Sequence, residues 1–135
     1  MKVGSPQRWK PTEQELDNKL REVRALLRDG KWRPGDVAGL ECDFEELEQT
    51  FGLELDTFQE RTRVLLIAAE EVTREDYAGQ RPPEKSYKDE IKNQPLFPFC
   101  WKSMHFGAQM YFKFTVKGAD NDRRAYPVSI HVARH

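Results

Sequence analysis

The last third of the chain alternates, and this limits what the chain can fold into. Along residues 109–117, Met110, Phe112, Phe114 and Val116 fall on one side, and Gln109, Tyr111, Lys113, Thr115 and Lys117 on the other. Along residues 126–132, Tyr126, Val128, Ile130 and Val132 share a side opposite Ser129 and His131. A period of two means strands with one buried face. The connector 118–124 holds Gly118, Asp120, Asn121 and Asp122, so the two strands are expected to form an antiparallel hairpin. A turn centred near Asn121 sets Tyr111 across from His131 and Lys113 across from Ser129. With the apolar side in the core, the outer side presents a tyrosine, a lysine, a glutamine, a serine and a histidine. Such groups can move protons and hold a phosphate.

Helical signals come first. Residues 1–11, with Pro6 and Pro11, read as a flexible arm. Thr12 and Glu15 form a capping-box pair, and Leu16, Leu20, Val23 and Leu27 then recur at helical spacing up to Gly30. Residues 32–40 read as a loop because of Pro34, Gly35 and Gly39. Asp43 is expected to cap a short helix ending at Gly52, and Asp56 a longer one over roughly 57–75. A strand competes for the cluster 64–69, but Ala68-Ala69-Glu70-Glu71 favours helix. Residues 76–95 look like a linker broken at Pro82-Pro83, with a short helix over 84–92. The aromatic run 96–101 suits a strand, and Pro98 within it implies an edge or a bulge. Helices first and strands last predict an α+β fold, N-terminal helices on a small C-terminal antiparallel sheet, in one domain over 12–135.

No apolar run approaches a membrane span, and the N-terminus lacks the apolar core of a signal peptide. Two cysteines, Cys42 and Cys100, make no disulfide framework, so a cytoplasmic location with reduced thiols is expected. Walker A, G-x-G-x-x-G, H-E-x-x-H, G-x-S-x-G and paired C-x-x-C motifs are all missing. Cys100, His105 and His131 match no standard metal spacing, and neither a metal nor a cofactor is expected. Charge is segregated: residues 1–35 carry +4, residues 36–84 carry −10 and residues 85–135 carry +5, which together give the net −1. This suits a polyanion on the basic part or a basic partner on the acidic part. It equally suits neutralisation of one part by the other within the fold.

Metal-free RNA cleavage needs a group to take the 2′-OH proton, a group to protonate the departing 5′ oxygen, and cations on the phosphate. An imidazole such as that of His131 is a side chain suited to proton transfer. Lys113, Lys117, Arg123, Arg124 and Arg134 supply positive charge, with Gln109 on the same face. Tyr111, Trp101 or Phe106 could stack a base. The plainer readings are a wet outer face of a half-solvated sheet, a surface histidine, and lysines that guard a strand edge. The acidic stretch 41–60 likewise suits a solvated helix face.

Several segments resemble the MqsR-type bacterial toxins, mRNA interferases of the RelE-like superfamily. Val23-Arg24-Ala25-Leu26-Leu27-Arg28-Asp29-Gly30 is similar to the helix end that opens the family. The apolar helix 64–69, followed by Glu75-Asp76-Tyr77, is similar to its next helix and exit. Residues 107–116 resemble its central strand, and Val128-Ser129-Ile130-His131 its final strand, so the likeness spans most of residues 20–134. It implies a RelE-like fold and a metal-independent endoribonuclease acting on mRNA, free or ribosome-associated, with a cognate antitoxin as partner. The family's catalytic tyrosine falls on Tyr111, its terminal-strand lysine on His131, and a second lysine on Lys85. A family glutamine falls near Pro98, where this chain has no equivalent. The histidine keeps a proton donor but changes its pKa, which suits a sister branch of these toxins. The rival expectation is a non-enzymatic antitoxin, immunity protein or nucleic-acid adaptor working through the acidic segment 36–84.

Overall fold

A computed structural model describes residues 11–79 and 83–134, so the expected arm lies, apart from Pro11, outside the described residues. Helix α1 spans Glu13–Arg28 and opens on the expected capping box. The Thr12 hydroxyl accepts from the Glu15 amide at 3.1 Å, and the Glu15 carboxylate accepts from the Thr12 amide at 2.9 Å. Leu16, Leu20, Val23 and Leu27 form its buried stripe.

Helix α2 spans Val37–Phe51 and is capped by Asp36, not by Asp43. The Asp36 carboxylate accepts from the Gly39 amide, while Asp43 lies inside the helix on its buried side. Gly52 closes the helix at φ 68°, a left-handed conformation that glycine adopts without a Cβ penalty. The expected loop 32–40 is therefore shorter, and its first part is ordered against the sheet. The Arg33 amide donates to the Ala125 carbonyl, the Gly35 amide to Pro127, and the Ala125 amide to Lys31.

Helix α3 spans Phe58–Glu71, capped by Thr57 instead of Asp56, with Glu60 completing a capping box. It stops before the expected residue 75, because a new turn starts at Thr73: the Thr73 amide and hydroxyl both donate to Asp76. Arg24 of α1 caps its C-terminal end, donating to the carbonyls of Ala69 and Val72 at 2.7 and 2.8 Å.

Strands β1 (Phe97–Lys102), β2 (Gln109–Lys117) and β3 (Arg124–Val132) form an antiparallel meander with β2 in the centre. The fold is α+β, with helices N-terminal and sheet C-terminal. Pro98 sits on an edge strand as expected, since a proline cannot donate to a ladder. The expected pairing holds: Tyr111 faces His131 and Lys113 faces Ser129. Phe99, Trp101, Met110, Phe112, Phe114 and Ile130 pack against the buried faces of all three helices in one core.

One part of the hairpin differs. The register slips between Lys113 and Phe114, so Phe114 faces Pro127 and Val116 faces Ala125. A bulge of one residue reverses the side on which all later residues of its strand lie. Tyr126 and Val128 were expected beside Ile130 and Val132 but instead form a small second cluster with Ile91 and Leu96. The linker-like segment supplies that cover. Only Asp89–Ile91 of the expected 84–92 helix is helical, as a single 3-10 turn, and Ile91 is fully buried. Gly35 completes the contact, since a Cβ there would lie 2.9 Å from Val128 and 3.0 Å from Ile91.

Candidate functional site

The segment 83–96 covers only part of the outer face: Thr115 is fully buried and Lys117 meets the Glu90 carbonyl, whereas Gln109, Tyr111, Lys113, Ser129 and His131 stay partly or fully exposed. Tyr111 and His131 face each other across β2 and β3 with ring centroids 5.0 Å apart and planes 18° from parallel. His131 Nδ1 lies 2.8 Å from the Val132 carbonyl oxygen. A carbonyl can only accept, so Nδ1 carries the proton and, in the neutral ring, Nε2 keeps its lone pair. Burial, then the neighbouring Cys100 and Glu84, raise the Tyr111 pKa. The phenol therefore stays protonated at neutral pH and acts as a hydrogen-bond donor.

The neighbouring backbone is held from α2. The Asp43 carboxylate accepts from the Ile130 amide at 3.0 Å, closing the outer edge of β3 next to His131. Burial raises the Asp43 pKa, against the pull of that hydrogen bond and of the His131 and Arg134 charges. The sequence reading assigned Asp43 to a helix end and missed this link.

Two clefts meet at Lys113. One, of about 160 Å³, runs between Glu84, Leu96, Pro98, Tyr111 and Lys113. The other, of about 200 Å³, is bounded by Lys85, Ser86, Lys88, Lys113 and Ser129. Lys85 and Lys113, far apart in sequence, thus face one space. Among the described residues neither ammonium group has a side-chain hydrogen bond or ion pair, whereas Lys88 is held by Asp36 at 3.3 Å. Lys85, Lys88 and Lys113 outnumber the carboxylates Asp36 and Glu84 around this cleft, which favours an anion.

The remaining expected contacts scatter. Trp101 is a correction: it lies on the helix side, 4 % exposed, with its indole N–H donating to Glu71 at 2.9 Å. Its ring is spent on the core and cannot stack a base, and Phe106 is buried as well. Arg123 is forked onto Glu22 of α1. Arg134 pairs with Glu46 at 2.7 Å. Lys117 donates to the Glu90 carbonyl at 2.7 Å, and Arg124 to carbonyls of its own turn. These four cations are committed inside the chain, away from the clefts. Gln109 is exposed at the start of β2 and lines neither cleft.

The charge segregation closes largely within the molecule. In the acidic segment, Glu41 pairs with Arg61, Glu46 with Arg134 and Glu70 with Arg28. Glu48 accepts from the Leu55 amide, and Glu71 from Trp101, Ser103, Met104 and His105. Among the described residues of that segment, the carboxylates of Glu45, Glu54, Asp56 and Glu84 are left without a hydrogen bond or ion pair. The segment offers a far smaller acidic surface than its composition suggests. No helix among the described residues is long and apolar enough to cross a membrane. In comparisons with protein-family models, curated proteins and solved structures, nothing matches this chain.

Proposed function

We propose that the chain is a metal-independent endoribonuclease, the toxin of a toxin–antitoxin pair, cutting RNA on the outer face of its sheet. The observation that carries this reading is the stacked Tyr111–His131 pair near Lys113 and Lys85, whose ammonium groups have no partner among the described residues. His131 Nε2 takes the proton of the ribose 2′-OH, whose oxygen then attacks the adjacent phosphorus. The bond from phosphorus to the 5′ oxygen breaks, leaving a 2′,3′-cyclic phosphate on one fragment. The protonated Tyr111 phenol donates to the departing 5′ oxygen and regains its proton from His131 through solvent. Lys113 and Lys85 balance the charge that builds on the phosphate. Support for the toxin class comes from the resemblance of residues 20–134 to MqsR-type toxins, which places the family tyrosine on Tyr111 and a family lysine on Lys85.

The test is incubation of the purified chain with a defined RNA, with and without EDTA. Cleavage that survives EDTA and leaves 2′,3′-cyclic phosphate ends is expected. His131→Ala and Tyr111→Phe should each lower the rate by about 10²–10⁴-fold, the usual contribution of a proton-transfer group, with unchanged circular dichroism. Folded variants that cleave RNA, or arrest growth on expression, as well as the parent does would sink the assignment.

A further inference from the structure

Tyr87 is 90 % exposed, yet the turn that carries it is tightly held. The Ser86 amide donates to the Gln94 carbonyl, the Asn93 amide to Ser86, and the Leu96 amide to Glu84 at 2.7 Å. The Ser86 hydroxyl accepts from the Lys88 amide, and Lys88 reaches Asp36 of the α2 cap. Fully buried Ile91 anchors the far side. The fold thus spends hydrogen bonds and an ion pair to hold a tyrosine in water, where its ring stabilises nothing in the core. The ring borders the same cleft as Lys85, Lys88, Lys113 and Ser129. Lys113 borders this cleft and the one reaching Tyr111, so the exposed ring, the basic cleft and Tyr111 are neighbours on one surface.

An exposed aromatic on a cleft whose Lys85 and Lys113 have no side-chain partner among the described residues matches single-stranded nucleic acid, whose bases stack while its phosphates are neutralised. Resting on the RNA-cleaving reading above, we infer that Tyr87 is the stacking platform for the base of a nucleotide neighbouring the cut, with Lys85 on the intervening phosphate. A rigid turn suits the role, because stacking on a pre-held ring costs less ordering on binding. It also explains the lysine–serine–tyrosine–lysine order of residues 85–88. The serine closes the turn, Lys88 ties it to Asp36, and Lys85 and Tyr87 are left on the same cleft.

The probe is a fluorescein-labelled, fully 2′-O-methylated oligonucleotide, which lacks the attacking hydroxyl and cannot be cut. Anisotropy titrations of the parent chain, Tyr87→Ala and Tyr87→Phe give the affinities. Tyr87→Ala should weaken binding tenfold or more, the loss expected of one base stack, while Tyr87→Phe keeps its affinity because the ring remains. Unchanged affinity in a folded Tyr87→Ala overturns the inference and leaves the exposed ring to a protein partner, while RNA cleavage by the parent would still stand. Tyr87-dependent binding by a parent chain that cuts no RNA keeps the platform and removes the enzyme. A parent chain that does not bind the oligonucleotide overturns the platform directly.

Discussion

Thr115 is fully buried under the 83–96 segment, and its hydroxyl has no hydrogen-bond partner among the described residues. A buried, unpaired hydroxyl carries its desolvation cost with no return. Thr115→Val keeps the β-branched shape and should raise stability by about 1 kcal/mol, read as a higher urea midpoint at constant slope. A lower midpoint would mean that an ordered water already satisfies the oxygen. Asp43 is the converse case, a buried acid whose acceptor is used by the Ile130 amide. Asp43→Asn retains an acceptor and removes a charge, so stability near neutral pH should change by less than about 0.5 kcal/mol or rise. Asp43→Ala strands the amide and should cost about 1–3 kcal/mol. Equal losses in both variants would place the charge, not the acceptor, at the centre of the contact.

The connection between β1 and β2 is held from outside the hairpin, by the last residue of α3. One Glu71 carboxylate accepts from Trp101, from the Ser103 hydroxyl at 2.6 Å and from the Met104 and His105 amides. Burial pushes the Glu71 pKa up, but these hydrogen bonds together outweigh it and hold the group below the ordinary carboxylate range. Glu71→Ala leaves four donors without their acceptor and should cost about 3 kcal/mol. Hydrogen exchange should quicken first at residues 103–107. Uniformly faster exchange along the sheet would instead mean global destabilisation with no special role for the turn. The same element scale explains the split outer face. The alternation along β2 and β3 is real, but the bulge re-aims Tyr126 and Val128 toward a segment that reads as a linker. Pro82-Pro83 reads locally as a break and 84–92 as a short helix, but the burial of Ile91 and Leu96 against Tyr126 and Val128 decides how the segment lies.

Over the whole molecule, acid should destabilise. Glu22 is lowered first by its hydrogen bond from Arg123, Glu41 by that from Arg61, and Glu71 by its donors once burial is overcome. A carboxylate with a depressed folded pKa binds fewer protons folded than unfolded. Its contribution is complete above the unfolded value, about 4.3 for glutamate, and fades as pH falls through the lower folded value. Asp43 is shifted the other way and offsets part of this, because its folded state takes up a proton first. Tm should therefore drop steadily below about pH 4.5. Asp43→Asn should steepen the fall, since it removes the opposing group. A Tm flat to pH 3 would mean that these contacts persist in the unfolded chain. What was legible in the sequence is local. The capping box at Thr12, the stripe of α1, the stop at Gly52, the hairpin and the Tyr111–His131 register depend on neighbours or on period alone, and each stands in the structure. What only tertiary structure decided is which polar groups remain free. Lys117, Arg123, Arg124 and Arg134 were equivalent on paper to Lys113. Folding commits Lys117 to a carbonyl, Arg123 and Arg134 to glutamates and Arg124 to its own turn, while Lys85 is brought beside Lys113 unpaired. Helix and strand periods record which side faces the core, whereas pairing between charges distant in the chain exists only once the core has set their separation.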